Sequence, residues 1–268
     1  MKYVVAFAIS GIHCSPDLCK SKAPFNPIVG ETYQAKTSDG SMLYMEQTMH
    51  VPPTLNFNIV GPDKIFEVMG FGAIDAKLDG LNKIRGARSG KNIIKFKDGT
   101  MYTFTNLYTR INGVMFGDRI YNYYGDLVVK DYKNKIEAIA SFQDELSEGV
   151  LQKLFAKKKT VQYDECKIEI RQLNPTTKQK ELKATGVASW LGQVVFDDKV
   201  YWSYFDENKT EWSQEGLWIL PSDSFYREDL NAVVKGDIDL AQKEKERLEE
   251  LQRADQRLRD AYKAKHSN

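Results

Sequence analysis

A short segment around one histidine has the residue types of an anion-binding site. The segment Glu46–Pro53 has the sequence EQTMHVPP, with His50 directly before Val51 and two prolines. The prolines hold the backbone extended at little conformational entropy, and an imidazole ring held there can donate a hydrogen bond to an incoming anion. The alternative is a histidine that merely occupies a proline-rich turn, because a single histidine is weak support for a site.

Other chemistry has less support in the sequence. His13, Cys14 and Cys19 lie close together, but no second Cys/His pair follows at zinc-finger spacing, so we predict no metal site and no cofactor. The sequence contains no nucleophile elbow, phosphate loop, dinucleotide fingerprint or HExxH motif. With His266 near the C-terminus, two histidines are left and neither has a local catalytic signature, so we predict that the protein is not an enzyme. Catalysis by carboxylates alone stays open.

Composition excludes several classes of protein. The 268 residues include 38 Lys plus Arg and 37 Asp plus Glu, and a net charge of +1 argues against the broad basic surface of a nucleic-acid-binding protein. Hydrophobic residues make up 42% of the chain, which is enough for a sizeable core. Three cysteines favour a reducing compartment over a disulfide framework, so we predict a cytoplasmic protein. No apolar run reaches the roughly 20 residues of a membrane span.

The first apolar run has two interpretations. Tyr3–Ile9 follows Lys2, as in the apolar region of a signal peptide, or it forms a buried helix. The run is short and a good cleavage site does not follow, so we predict a helix within residues 1–15.

The long middle region has the pattern of an antiparallel sheet. It contains four dipeptides suited to tight hairpin turns: Asp39-Gly40, Asp79-Gly80, Asp98-Gly99 and Asn112-Gly113. Alternating or apolar stretches flank them and continue downstream, and predict strands at 93–97, 100–104, 114–121, 126–131, 136–142, 161–171, 181–188, 193–196, 199–204 and 215–219. The fold class is therefore mainly β with flanking α: a large antiparallel β-barrel, complete or incomplete, over residues 28–220.

The pattern changes after Pro221. Residues 237–262 contain neither glycine nor proline and are rich in helix-forming residues, which predicts a long C-terminal helix. Leu248, Leu251 and Leu258 form a narrow apolar stripe that we expect to lie against the barrel wall. The whole chain, residues 1–268, is predicted to be a single domain.

Three motifs resemble those of one family. The segment EQTMHVPP resembles the EQVSHHPP fingerprint of the oxysterol-binding protein-related lipid-transfer domains. The sequence FNPIVGETY at Phe25–Tyr33 resembles the KPxNPxxGE motif of the same family, and the helix at Tyr3–Gly11 lies where the family has one. Residues 220–253 are similar to its C-terminal helix signature. The motifs follow the family's order and bracket nearly the whole chain.

The resemblance implies a near-complete antiparallel barrel whose tunnel holds one lipid, a sterol or a phospholipid. It also implies that the tunnel mouth binds the headgroup of phosphatidylinositol 4-phosphate. Carried over by motif, the headgroup residues are Asn26, His50, Lys245, Glu249 and Arg253. Lysine and arginine would bind phosphate oxygens, and Glu249 would accept inositol hydroxyls or orient a cation.

The spacing of the helical residues agrees with this assignment. Positions i, i+4 and i+8 rotate by only about 40° per step, so Lys245, Glu249 and Arg253 project from one face of a helix. The alternative is an ordinary ladder of surface ion pairs, each worth a few tenths of a kcal/mol.

The sequence also departs from the family's pattern. Where the family has its second histidine this chain has Val51, and where the family has its serine it has Met49. The family's lysine before the first proline of the entry motif is Ala23 here, and Lys22, one residue earlier, is the sixth predicted headgroup residue because it can reach the same place. Losing two charge-assisted contacts, at about 1.5–3 kcal/mol each, would weaken headgroup binding by two or more orders of magnitude.

The function predicted from the resemblance is lipid binding and intermembrane lipid transfer by a cytoplasmic protein that contacts membranes peripherally and binds no nucleic acid. The alternatives are a lipid-responsive sensor or scaffold that does not transfer lipid, and a carboxylate-based lipid hydrolase. Relative to the family, we expect a short form without the usual lid and C-terminal extension. Both a closed and an open tunnel are compatible with this short form.

Overall fold

The N-terminal helix lies in the core of the molecule. A computed structural model describes residues 1–12, 26–143, 164–206 and 211–266. Helix α1 (Lys2–Ser10) confirms the predicted helix as far as Ser10, and residues 13–15 of the predicted range lie outside the described residues. Val5 and Ile9, one helical turn apart, are fully buried. Burial of this apolar stripe, rather than helix capping, stabilises a helix of only nine residues.

Fourteen strands follow among the described residues, and all of their pairings are antiparallel. They are β1 (Thr32–Lys36), β2 (Met42–Met49), β3 (Thr54–Val60), β4 (Phe66–Leu78), β5 (Lys83–Ser89), β6 (Asn92–Phe96), β7 (Met101–Phe104), β8 (Tyr108–Asn112), β9 (Ile120–Asp131), β10 (Ile136–Phe142), β11 (Glu165–Leu173), β12 (Lys180–Ser189), β13 (Gln193–Phe196) and β14 (Lys199–Ser203). A short 3₁₀ helix, Pro62–Lys64, connects β3 to β4.

The sheet branches between two long strands. Its main path runs β1-β2-β3-β4-β5-β8-β9-β10-β11-β12-β13-β14, while β6 pairs with β4 and β7, and β7 pairs with β9. The first half of β4 therefore pairs with β6 and its second half with β5. No ladder joins β1 to β14 in the part of the chain that the structure describes. The predicted mainly β fold is confirmed, in the form of an incomplete barrel.

The core fills the inner face of this sheet. Buried side chains from strands around the barrel pack together with α1, among them Val68 of β4, Val129 of β9 and Val194 of β13. Each of these strands points alternate residues inward, so the apolar positions two residues apart form one continuous surface. Cys166 belongs to this core, and burial raises the pKa of its thiol to about 12.

Three of the four predicted hairpin turns are confirmed. Gly40, Gly80 and Gly99 have φ angles of 79° to 87° and lie between consecutive antiparallel strands. The fourth prediction is wrong about the length of the connection. Gly113 has a φ of 70°, but seven residues separate β8 from β9 there.

Two predicted strands are loops. Residues 114–119 are not a strand, because the backbone N–H groups of Met115 and Phe116 donate to the side chain of Asn82 instead of to a ladder. Residues 215–219 are also not a strand, since a turn at Gly216, with a φ of 69°, interrupts them. The predicted strand 161–171 begins at Glu165, and residues 161–163 lie outside the described residues.

Residues 213–223, which contain the second of these loops, bridge to the edge strand β1 at both of their ends. Lys36 pairs with Ser213 and Thr32 with Asp223 in isolated bridges. The Asp223 carboxylate is buried and accepts hydrogen bonds from the backbone N–H of Gln34 (3.1 Å) and of Phe225 (2.9 Å). The sheet edge is thus satisfied by the chain itself, and the C-terminal elements are fixed to the first strand.

Two helices end the chain. Helix α2 (Glu228–Val234) is followed by helix α3 (Ile238–His266), which confirms the predicted C-terminal helix and extends it by four residues. Ala232 and Ala241 are buried between them. The expectation that the leucine stripe lies on the barrel wall is wrong, because Leu251 and Leu258 are exposed. A stripe this narrow, on a helix so rich in charge, does not bury its full length.

Candidate functional site

The first wall of the site is the segment that leads into β1. The Glu31 carboxylate accepts a hydrogen bond from the backbone N–H of Ile28 (2.8 Å), which closes the turn Ile28–Glu31. The backbone of this turn bonds to β2: the N–H of Gly30 donates to Gln47 O (2.7 Å), and the N–H of Gln47 donates to Glu31 O (2.9 Å). Asn26 and the turn are therefore held beside the end of β2.

His50 occupies the connection between β2 and β3. The Gln47 side chain donates to the carbonyl of Met49 (2.8 Å), and the Thr54 hydroxyl donates to the carbonyl of Pro52 (3.0 Å). The N–H of Ile74 on β4 donates to the carbonyl of Pro53 (2.9 Å). These bonds fix the backbone on both sides of His50, whose residue is exposed to solvent. The predicted extended backbone is wrong, because residues 50–53 form a turn that contains a cis Val51–Pro52 peptide bond.

The predicted helical trio lies on one face of α3. Glu249 stands between the two cations: its carboxylate lies 3.7 Å from Lys245 Nζ and 3.1 Å from Arg253 Nη2. All three side chains are partly exposed, so these ion pairs are weak and can be exchanged for a ligand at small cost. The three residues that form the ladder of ion pairs are thus the same residues that were predicted to form the binding face.

These segments surround one cavity of about 330 Å³. Its lining residues are Asn26, Pro27, Ile28, His50, Arg227, Lys245, Leu248, Glu249, Gln252 and Arg253. Five of the six predicted headgroup residues are therefore brought together, although up to 227 positions separate them in sequence. Lys22, the sixth, lies outside the described residues, as do Ala23, His13, Cys14 and Cys19. Val51 does not line the cavity and is 78% exposed beside it.

Arg227 is a residue of the site that the sequence did not single out. Its guanidinium donates to both carboxylate oxygens of Asp229 (3.0 and 2.6 Å), to Glu31 (2.8 Å) and to the backbone carbonyl of Asn26 (2.9 Å). Asp229 is fully buried and Glu31 nearly so. This buried network joins the Asn26–Glu31 turn to helix α2. The only signal in the sequence was an arginine two residues before an aspartate at a helix start, and that pattern is common.

The network keeps Arg227 charged. Burial alone would lower the pKa of Arg227, but the hydrogen bond to Asp229 and the charges of Glu31 and Asp229 outweigh it and raise the pKa above its usual value. The charge of Arg227 is balanced by Asp229 and Glu31, so the cations that face a ligand in the cavity are Lys245 and Arg253 on its helical wall. Among the described residues of the helical wall, Lys245 and Arg253 stand against Glu249, which gives that wall a positive balance suited to an anionic ligand.

A second, more apolar cavity of about 690 Å³ lies along β1 to β4. Tyr44, Asn58 and Met69, which line it, are directly paired neighbours across β2, β3 and β4. Val68, the neighbour of Met69, points into the core, so the cavity is on the outer face of the sheet. It is a surface groove and not the interior of the barrel.

The described residues hold neither a metal-ligating cluster nor a membrane-spanning helix. In residues 1–12, 26–143, 164–206 and 211–266, no group of three or more His, Cys, Asp or Glu side chains is placed to hold a metal ion. None of the helices in those ranges is long and apolar enough to cross a membrane.

Comparison with solved structures defines the class of fold. The Osh3 ORD from Saccharomyces cerevisiae, solved in complex with PI(4)P, matches with a TM-score of 0.76 and 22% identity, over 96% of this chain and 70% of that one. The Osh1 ORD domain in complex with ergosterol matches with a TM-score of 0.73 and 19% identity, over 97% and 66% of the two chains. The incomplete antiparallel barrel is thus the fold of ORD domains.

Sequence comparison then gives the family. The chain matches the family described as Oxysterol-binding protein over residues 1–268 and belongs to it. Oxysterol-binding protein 9 of Dictyostelium discoideum is 28% identical over 272 residues, which cover 97% of this chain and 61% of that protein. Oxysterol-binding protein-related protein 3C of Arabidopsis thaliana is 25% identical over 256 residues, covering 88% and 54%. The chain therefore spans 54% to 61% of the length of these two relatives.

Proposed function

We propose that the protein binds one lipid, a sterol or a phospholipid, within the barrel and transfers it between membranes. It recognises the headgroup of phosphatidylinositol 4-phosphate in the cavity between His50 and helix α3. The observation that carries the proposal is the meeting of Asn26, His50 and the Lys245–Arg253 face around one cavity in a chain of this family. The Osh3 domain with PI(4)P and the Osh1 domain with ergosterol are precedents for both kinds of ligand in this fold.

The cavity suits a phosphorylated inositol in size and charge. Its volume of about 330 Å³ is at the lower end of small-molecule sites, which fits a headgroup better than a whole lipid. Lys245 and Arg253 bind the phosphate oxygens, and His50 donates from the opposite wall. Glu249 holds the two cations in place and accepts inositol hydroxyls. Leu248 and Ile28 give the cavity its apolar part, where the glycerol backbone of a lipid would lie.

No chemical step belongs to this function. Transfer depends on hiding the apolar body of the lipid from water, at roughly 25 cal/mol per Å² of apolar area, while the mouth identifies the headgroup. The protein acts in the cytoplasm and touches membranes peripherally. It needs neither a cofactor nor nucleic acid.

The test compares two double variants of the same helix. Lys245→Ala with Arg253→Ala removes the two cations on the helical wall of the cavity, whereas Lys243→Ala with Arg257→Ala removes two cations of α3 that do not line it. We expect the first variant to bind dioctanoyl phosphatidylinositol 4-phosphate about 100-fold more weakly or worse, and the second to bind it like the unmodified protein. Both should still extract sterol from vesicles. Equal losses in the two variants would refute the assignment of the cavity.

A second candidate is a lipid sensor that binds without transfer. Val51 favours it, because an exposed valine stands where the family's fingerprint has a histidine. Transfer of fluorescent sterol between vesicles, with and without phosphatidylinositol 4-phosphate in the acceptor, separates the two functions. A transfer protein accelerates the exchange and responds to the phosphoinositide, whereas a sensor binds both lipids at an unchanged exchange rate.

A further inference from the structure

Two neighbouring hairpin tips expose a cluster of large apolar side chains. Leu81 on the β4–β5 connection is 87% exposed, and Met115 and Phe116 on the β8–β9 connection are 75% and 67% exposed. Leu78 and Ile120, at the adjoining strand ends, are exposed as well. Single exposed apolar residues are ordinary, but a contiguous group at a protruding end marks a surface that contacts something apolar.

Asn82 joins the two tips into one unit. Its side-chain oxygen accepts hydrogen bonds from the backbone N–H groups of Met115 (2.8 Å) and Phe116 (3.1 Å), and its amide donates to the carbonyl of Phe116 (2.8 Å). Next to it, β5 and β8 are paired at Lys83 and Asn112. We call the residues 78–82 and 113–120 the double tip.

These hydrogen bonds also make the double tip suited to an apolar medium. A backbone N–H or carbonyl that enters a membrane without a partner costs several kcal/mol, which excludes most loops from the lipid phase. Here the N–H groups of Met115 and Phe116 and the carbonyl of Phe116 are satisfied from within the protein. The apolar side chains can therefore enter lipid without exposing those groups.

The double tip lies at the same end of the barrel as the headgroup cavity. Thr54, just after the His50 connection, pairs with Ala73 of β4, and β4 continues from there to Leu78. At about 3.3 Å per residue, five residues of strand carry the tip roughly 17 Å beyond that pair. The tip thus projects past the strand end that carries His50.

The local charge matches an anionic surface. Residues 75–85 of the hairpin contain three basic side chains (Lys77, Lys83 and Arg85) and two acidic ones, Asp75 and Asp79. Lys77 lies 3.1 Å from Asp75 and Arg85 lies 2.8 Å from Asp79, so Lys83 supplies the positive excess. Arg119 adds a further cation on the other tip, beside Asp118. A positive charge beside exposed apolar tip residues is attracted by anionic lipid headgroups, at about 1 kcal/mol per charge near the membrane surface.

We propose that the double tip is a membrane-docking element that enters the outer layer of an anionic bilayer. Docking there brings the cavity at His50 to the membrane surface, where a phosphoinositide headgroup is presented. The double tip would be the membrane-contact surface of the proposed transfer function, and the inference rests on that function only for the purpose that docking serves.

The test replaces three exposed apolar residues at each end of the barrel. Leu81→Ser, Met115→Ser and Phe116→Ser together alter the double tip. Ile65→Ser, Met101→Ser and Tyr132→Ser together alter exposed residues at the opposite strand ends and serve as the matched control. With phosphatidylcholine vesicles containing phosphatidylserine, we expect the tip variant to bind at least about tenfold more weakly and the control to bind normally. Normal binding by the tip variant would overturn the proposal.

A second measurement does not depend on the triple variant folding. Tryptophan is placed in a single position, Leu81→Trp or, as control, Ile65→Trp, and the vesicles contain acyl chains brominated near the headgroup. Docking predicts extra quenching for Leu81→Trp alone. Equal quenching of the two proteins would overturn the proposal, as would a dimer in sedimentation that the tip substitutions convert to a monomer.

Failure of docking and failure of headgroup recognition can be told apart. The tip variant should bind soluble dioctanoyl phosphatidylinositol 4-phosphate with unchanged affinity. Conversely, Lys245→Ala with Arg253→Ala should still bind phosphatidylserine vesicles through the tip. Loss of soluble-ligand binding in the tip variant would mean that the tip supports the cavity itself, which would overturn its assignment as a separate docking element.

Discussion

Replacing Arg227 by methionine tests whether the buried ionic network holds the cavity together. The substitution keeps the length of the side chain but removes the guanidinium, which makes hydrogen bonds to Asp229, Glu31 and the backbone of Asn26. Two carboxylates with almost no solvent exposure are left without their cation. The turn that contains Asn26 also loses its direct bond to the residue that precedes helix α2.

The expected cost is large for a single substitution. Removing one partner from a buried ion pair destabilises proteins by about 3–5 kcal/mol, because the remaining charge stays buried. That is a large part of the 5–15 kcal/mol that separates typical folded and unfolded states, so the midpoint of thermal unfolding should fall by roughly 6–20 °C. Arg227→Lys should cost less, since one ammonium keeps the charge but cannot bond to three partners at once.

The matched control is Arg171→Met. Arg171 Nη2 lies 2.7 Å from Glu169, a contact like those of Arg227 in kind, but both side chains are 41% to 47% exposed. An exposed pair of this kind contributes about 0–1 kcal/mol. The two variants differ in the burial of the arginine and in the number of its partners, and any general effect of losing an arginine appears in both.

Urea unfolding followed by tryptophan fluorescence measures both free energies. Because the pKa of Arg227 is raised, its contribution is fully present below the ordinary pKa of an unfolded arginine and is lost only as the pH rises through the still higher folded pKa. The deficit of Arg227→Met should therefore be the same at neutral and mildly alkaline pH. A loss below about 1 kcal/mol, or one equal to that of Arg171→Met, would refute the reasoning. Adding Asp229→Asn should recover part of the loss, since it removes the unpaired charge.

Two further predictions concern the mouth and the double tip. Val51→His restores the second imidazole of the fingerprint, and calorimetry should show that it binds dioctanoyl phosphatidylinositol 4-phosphate about tenfold more tightly. The control Val51→Phe should bind the ligand with unchanged affinity. Unchanged affinity in Val51→His would argue against a role for the β2–β3 connection in headgroup binding. Gly113→Ala should cost more stability in urea than Gly117→Ala. Both glycines have a positive φ, which costs about 1 kcal/mol for alanine, but a Cβ at Gly113 would lie 1.9 Å from the carbonyl oxygen of Asp118 whereas at Gly117 it meets nothing. Equal costs would contradict this account of the loop.

The strand pattern was predictable because its determinants are local. Residues 136–142 and 193–196 form strands with the predicted bounds, since alternation and turn glycines act over a few residues. The failures have a common cause. Residues 114–119 look like a strand locally, but the Asn82 side chain, more than 30 positions away, takes their backbone hydrogen bonds. A sequence window of the length used to predict a strand does not contain both Asn82 and the backbone groups that it binds.

The branch of the sheet could not be predicted for the same reason. The thirteen-residue length of β4 lets it pair with β6 along one half and with β5 along the other. Each pairing is a choice among many antiparallel partners of similar composition, and register depends on long-range contacts. The sequence indicates that there are many strands but not which of them are neighbours.

The candidate site divides along a similar line. The resemblance to a family identified residues that would face a ligand, and five of these six line one cavity. Arg227 was missed because its role is to position other residues: it acts through Asn26 and Glu31, and no feature of its own neighbourhood distinguishes it from a surface arginine. Its burial, which gives the interaction its strength, is a property of the fold and not of the local sequence.

The segment before helix α2 is bonded to the start of the sheet at β1, and this explains how a cavity can be built from such distant segments. Asp223 binds the backbone of β1 at Gln34, while Glu31, one residue before β1, binds Arg227. Arg227 lies four positions after Asp223, so the C-terminal segment is attached to the first strand and to the residue before it immediately before α2 begins. Helix α2 packs on α3, which sets the position of Lys245 and Arg253 relative to Asn26 and His50. The mouth can therefore be rigid although the barrel is incomplete, because its walls are joined at β1 and not across the gap between β1 and β14.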